Sequence, residues 1–97
     1  MIGRASEKVA GGKLVRLELE HDNSSITRVK ITGDFFMHPE DALAGMEQSL
    51  VGMGIDSAEA DFSAAISEAV SSASANLVGF SAETIARLAK AAIGGSK

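Results

Sequence analysis

Ninety-seven residues, 45% of them apolar, suit one globular domain with a single hydrophobic core and are too few for two. A net charge of −4 argues against a nucleic-acid partner, which would need clustered Lys and Arg. The lack of cysteine excludes disulfides, thiol catalysis and cysteine-ligated metal or iron–sulfur centres, and it fits an intracellular protein. No apolar run approaches the roughly 20 residues that span a bilayer. Met1-Ile2-Gly3-Arg4 leads into polar residues rather than the apolar core of a signal peptide. The expectation is a soluble, cytoplasmic domain covering residues 1–97.

Met1 to Ala5 shows no periodicity and is expected to fray. Glu7 to Ala10 carries a weak edge-strand signal before the Gly11-Gly12 turn. From Lys13 to Glu20 the alternation is clear, with Val15, Leu17 and Leu19 on one face and Arg16, Glu18 and Glu20 on the other. His21 to Ser25 is turn chemistry, because Asp, Asn and Ser side chains bond their own backbone. Thr27, Val29 and Ile31 then share a face opposite Arg28, Lys30 and Thr32.

Parity and charge set the register of this hairpin. Both inward sets are odd-numbered, so directly opposed residues have an even sum. A sum of 48 places Glu20 opposite Arg28, Glu18 opposite Lys30 and Arg16 opposite Thr32, with a three-residue loop at Asn23-Ser24-Ser25. Each outer-face acid–base pair favours this register by roughly 0.2–1 kcal/mol. The result is an antiparallel hairpin with a charged face toward solvent and an apolar face that needs helices over it.

Gly33 punctuates the second strand, and Pro39 with Glu40 and Asp41 reads as the first turn of a helix. Proline lacks an N–H that would be unpaired there, and acids favour the helix dipole. That helix runs to Val51 with Leu43, Met46 and Leu50 at helical spacing, and Gly52 suits its C′ position. Asp56-Ser57-Ala58-Glu59 has the spacing of a capping box and opens a second helix. Its stripe is Phe62, Ala65, Ile66, Ala69, Val70 and Ala73. Asn76 to Gly79 reads as a connector. Ser81 caps a third helix, with Phe80 and Ile85 spaced for a hydrophobic staple and Ile85, Leu88, Ala89 and Ala92 as its stripe. Strands first and helices after predict an α+β two-layer domain: a small antiparallel sheet of two to three strands with about three helices on one face.

Sites in this frame are few. Gly11-Gly12-Lys13 lacks the Gly-x4-Gly-Lys-Ser/Thr spacing of a phosphate loop, so composition alone favours a plain turn over an anion site. Asp34, with no second carboxylate at helpful spacing, reads as a turn or cap residue rather than a base or ligand. His21 and His38, the latter at an expected N-cap, have no partners in a metal-ligand pattern. No nucleophile-elbow motif accompanies the serines. Phe35 and Phe36 are adjacent, so in extended backbone they point to opposite sides. Either one packs under the first helix while the other, with Met37 beside it, anchors a partner, or a bend buries both.

Lys8-Val9-Ala10-Gly11-Gly12-Lys13-Leu14-Val15 followed by Gly33-Asp34-Phe35-Phe36-Met37-His38-Pro39-Glu40 resembles the small C-terminal domain of lipoate–protein ligases, here as the free-standing subunit of a two-chain form. Leu77-Val78-Gly79-Phe80-Ser81 matches the family in pattern, whereas Ala10 stands where the family often has proline and Ser6-Glu7 lacks a common aromatic. The resemblance implies an accessory subunit, not catalytic alone, that a catalytic large subunit needs for ATP-dependent activation of lipoate to lipoyl-adenylate. It implies that lipoate and ATP/Mg are held by that partner, none by this chain. The partner-proximal residues would be Lys8, Gly11, Gly12, Lys13, Gly33, Asp34, Phe35, Phe36, Met37 and His38, with the lipoyl acceptor domain as a further contact. On the same prior, Lys13 is read as a charge contributed to adenylation. The reading from a different class is a non-enzymatic adaptor or regulatory module unrelated to lipoylation.

Overall fold

The computed structural model describes residues 1–9, 13–34, 36–38, 42–78 and 80–95. Its elements run β1 (Ile2–Val9), β2 (Lys13–His21), β3 (Ile26–Gly33), β4 (Phe36–His38), α1 (Ala42–Leu50), α2 (Glu59–Ser72), β5 (Asn76–Val78) and α3 (Ala82–Gly94). The first three strands form an antiparallel sheet in the order β1-β2-β3, and β4 pairs with β5 as a separate two-stranded ribbon. The helices lie on one face of the sheet: α3 over β1 and β2, α1 over β3, and α2 against both helices. This is the expected α+β architecture.

The charge-derived register holds. Glu20 faces Arg28, Glu18 faces Lys30 and Arg16 faces Thr32. Leu17 and Val29 are buried, and Glu18 and Arg28 are exposed. The loop end differs from expectation, because the register shifts after Glu20 and pairs His21 with Ile26. One extra residue, Thr27, is accommodated on β3, as at a β-bulge. Ile26 therefore turns inward and is buried, Thr27 is exposed, and the loop is the four residues Asp22 to Ser25. Asp22 holds that loop, its Oδ1 accepting from the N–H groups of Ser24 at 2.7 Å and Ser25 at 2.8 Å. His21 is not part of the turn but the buried last residue of β2.

The N-terminal expectation is overturned. Residues 2–5 do not fray: β1 pairs with β2 from Ile2↔Glu20 to Val9↔Lys13. The N–H of His21 donates to the Met1 carbonyl at 2.9 Å, and the Met1 amino group donates back to the His21 carbonyl at 3.0 Å. On the inward face of β1, Gly3 and Ala5 are small because α3 lies close, while Val9 packs on the core and Glu7 pairs with Arg87 of α3. A Cβ at Gly3 would sit 1.9 Å from the carbonyl oxygen of Ala92. Ala86, Ala89 and Ala92 of α3 are buried together with Val15, Leu17 and Ile85.

Helix ends show one success and one correction. Ser81 caps α3 as expected, its Oγ accepting from the Thr84 N–H at 3.3 Å, with Phe80 and Ile85 both buried. Asp56-Ser57-Ala58-Glu59 does not cap α2. The N-cap is Ala58, which has no side-chain acceptor, and only the reciprocal half of a box forms, from the Ala58 N–H to Asp61 Oδ2 at 3.2 Å. The α1 start expected at Pro39 lies outside the described residues; its described part buries Ala42, Met46 and Leu50, and Gly52 follows with φ +91°.

The free edge of β3 is covered at two places. The Ile26 N–H donates to the Met53 carbonyl at 2.9 Å, and the Gly52 N–H returns to the Ile26 carbonyl at 2.7 Å. Further along, Glu47 of α1 reaches back so that its Oε2 accepts the Ile31 N–H at 2.7 Å. Such covers suppress edge-to-edge pairing.

Candidate functional site

Two stretches that are far apart in sequence meet at one end of the sheet. Lys8 lies opposite Leu14, Val9 opposite Lys13, and Val15 opposite Gly33. The Asp34 N–H then donates to the Leu14 carbonyl at 2.9 Å, extending the ladder one step past β3. Lys8 and Lys13 therefore stand at the same end as the Gly33-Asp34 junction. Gly33 has φ +156°, outside the backbone range that side chains favour, which fits a chain that must leave the sheet sharply. Lys8, Gly33 and Asp34 are exposed and Lys13 is half-buried. Asp34 takes part through its backbone, as the last rung of the ladder.

The junction is also tied to the far half of the chain. Asn76 to Val78 is a strand, not the unstructured connector expected, and it pairs Phe36↔Val78, Met37↔Leu77 and His38↔Asn76. The Gly-Asp-Phe-Phe junction and the Leu-Val-Gly-Phe-Ser connector are thus one structural unit. Leu77 is half-buried against the core and Phe80 is buried within it. Gly11, Gly12 and Phe35, and the side chains of Phe36, Met37 and His38, lie outside the described residues.

Other candidates resolve as structure. His21 is 4% exposed, and its Nδ1 makes a 2.7 Å hydrogen bond with the Asp22 carbonyl. No group of three or more His, Asp or Glu placed to hold a metal occurs among the described residues, and no helix among them is long and apolar enough to cross a membrane.

Sequence reasoning gave the charged outer face of β2 and β3 but missed what β1 adds to it. It carries Arg4 and Lys8 from β1, Arg16, Glu18 and Glu20 from β2, and Arg28 and Lys30 from β3. Five of the chain's nine basic residues and two of its thirteen acidic ones lie there, net +3 in a chain of total −4. Arg4 Nε donates to Glu18 Oε2 at 2.7 Å, and that guanidinium holds the Glu18 carboxyl below its ordinary value. Arg16 and Lys30 join no salt bridge among the described residues. Arg4, Ser6, Arg16, Glu18, Lys30 and Thr32 bound an open depression of about 510 Å³. The even-numbered parity was the available signal, and it became visible as a cluster only once β1 had joined the sheet.

No family model matches the chain. It is 42% identical over 43 residues to lipoate-protein ligase A subunit 2 of Thermoplasma acidophilum, a match that spans 44% of this chain and 46% of that relative. In fold it matches a chain from the solved archaeal lipoylation system of the same organism, a bi-partite lipoate protein ligase and its E2 lipoyl domain. That match has a TM-score of 0.76 and 26% identity, over 92% of this chain and 94% of the other. Sequence and fold thus agree that this chain is similar to the small subunit of bipartite lipoate–protein ligases, the resemblance that the Gly-Asp-Phe-Phe junction first carried.

Proposed function

We propose that this chain is the accessory subunit of a bipartite lipoate–protein ligase in the cytoplasm. It is required with a catalytic large subunit for ATP-dependent activation of lipoate to lipoyl-adenylate. The observation that carries this reading is the likeness of nearly the whole chain to a component of a bi-partite ligase. Both motifs that resemble the family also fall at one end of the sheet.

Lipoate and ATP/Mg are bound by the large subunit, and this chain completes that site from outside. Adenylation develops negative charge along the triphosphate, and a lysine meets such charge as a mobile point cation. Lys8 and Lys13 lie at the same end of the sheet, Lys8 on its outer face and Lys13 on the face it shares with Val9, so a partner that meets both wraps that end. The family resemblance adds Phe35 to His38 to the partner contact.

The test is reconstitution. The purified chain alone forms no lipoyl-adenylate from lipoate and ATP, and adding the catalytic subunit restores formation. Adenylation by the chain alone at the same rate would refute the accessory role. Lys13→Ala in the complex should lower adenylation while leaving transfer of preformed lipoyl-adenylate and subunit binding unchanged.

A further inference from the structure

The sheet has two faces, and only one is used by the fold. The inner face is sealed by α1 and α3. The outer face is bare: Arg4, Ser6, Arg16, Glu18, Lys30 and Thr32 are all exposed. A solvated face of an antiparallel sheet is ordinary. A net +3 on it, in a chain whose total is −4, is a segregation of charge that self-solvation does not require.

The pattern selects a class of partner. A polyphosphate backbone would meet Glu18 and Glu20 within the same patch and an acidic molecule behind it, both unfavourable. A protein surface that is mainly acidic with a few cations accommodates both signs. The size is also informative. Strands of 8 and 9 residues rising about 3.3 Å per residue and lying about 4.8 Å apart give a face of roughly 400 Å². That is about half of the ~800 Å² each partner contributes to a standard interface. The face therefore serves as one wing of a larger contact. Lys8 belongs both to it and to the sheet end where the ligase-like motifs meet, so the contact is continuous around that end.

We infer that the outer face of the β1-β2-β3 sheet docks an acidic surface of the catalytic large subunit, steering the small subunit onto it. This inference rests on the ligase reading above and adds the surface and its chemistry. Arg16 and Lys30, which join no salt bridge among the described residues, are its principal cations. Electrostatic complementarity of this kind acts mainly on association rate and falls with salt.

The experiment measures binding of the full chain to the catalytic subunit across a salt series, comparing wild type with Arg16→Glu/Lys30→Glu and with the milder Arg16→Gln/Lys30→Gln. Thermal melting of each variant confirms the fold. The expected result is affinity weakened at least about tenfold for the reversal and less for the neutral pair at about 50 mM salt. The loss should lie mostly in the association rate, and the difference should close near 500 mM, where screening shortens to about 4 Å. Equal binding by folded variants at low salt overturns the docking face while leaving the accessory function intact. So does a loss confined to the lipoyl acceptor domain, or tight wild-type binding to a duplex DNA probe that these substitutions abolish. Failure of the wild-type chain to bind the catalytic subunit at any salt overturns the ligase reading and this face with it.

Discussion

The inner and outer faces of the same three strands are built on opposite terms. Inside, Val15, Leu17, Leu19, Val29 and Ile31 are nearly or fully buried, and the first half of β1 offers small Gly3 and Ala5 where α3 comes close. Outside, the side chains are mostly charged or polar, and most are exposed. The inner face is constrained by volume, where a single added or removed methyl group is felt. The outer face is constrained by charge and tolerates changes of shape. Stability and recognition are therefore separable in this molecule, and substitutions should sort accordingly.

The largest separation comes from Phe62, fully buried where α2 meets the core. Phe62→Ala should cost about 3–5 kcal/mol in denaturant unfolding, while Thr32→Ala on the outer face should stay within about 0.5 kcal/mol. Comparable losses for the two would erase the distinction.

A sharper test uses a single strand. Gly3→Ala places a methyl group 1.9 Å from the Ala92 carbonyl oxygen, a backbone atom that can yield only if α3 moves. The expected cost is about 1–3 kcal/mol. Ser6→Ala, three residues on and facing outward, should be close to neutral. An unchanged melting temperature for Gly3→Ala would mean that α3 is not held as closely as the geometry requires.

Glu47→Ala removes the acceptor for the Ile31 N–H at the sheet's edge and should cost about 1–2 kcal/mol. Glu47→Gln, which keeps an acceptor, should recover part of that loss. Equal losses for the two would assign Glu47 a role other than this hydrogen bond.

The smallest effect is a pH dependence from exposed groups. Glu7 is held below its ordinary value of 4.5 by the hydrogen bond from Arg87, Glu18 by that from Arg4, and Asp22 below 3.8 by the N–H groups of Ser25 and Ser24. Folded values below unfolded ones mean these groups contribute stability above pH 4.5. That contribution is lost as pH falls through the lowered folded values. Melting temperature should therefore decline below about pH 4.5, and Arg87→Gln should blunt the decline. A profile indifferent to Arg87 would leave the Glu7 pair without energetic weight, which surface pairs often lack.

The sequence made legible what is local or set by opposed charges. The β2–β3 register followed from Glu18, Glu20, Arg28 and Lys30, and the cap of α3 from Ser81. The second half of β1 gave a weak signal, but its first half was hidden because the inward residues there are Gly3 and Ala5, which fit the close approach of α3 and leave no apolar alternation to read. The shift at Thr27 was hidden because parity cannot announce an extra residue. β4 and β5 are three residues each, and only their long-range pairing makes them strands. Of the candidate site, the residue types and the approach of Lys13 to Gly33 and Asp34 followed from the β2–β3 register, but the place of Lys8 beside them depended on β1.

Glu47 bears on how the folded chain resists pairing with copies of itself. Exposed strand edges promote such pairing, because one unsatisfied N–H row recruits another chain. By placing a carboxylate on the Ile31 N–H, α1 occupies the donor that a stray strand would need and adds a negative charge that such a strand would have to desolvate. The same glutamate that helps to hold α1 against the sheet thus also guards its edge.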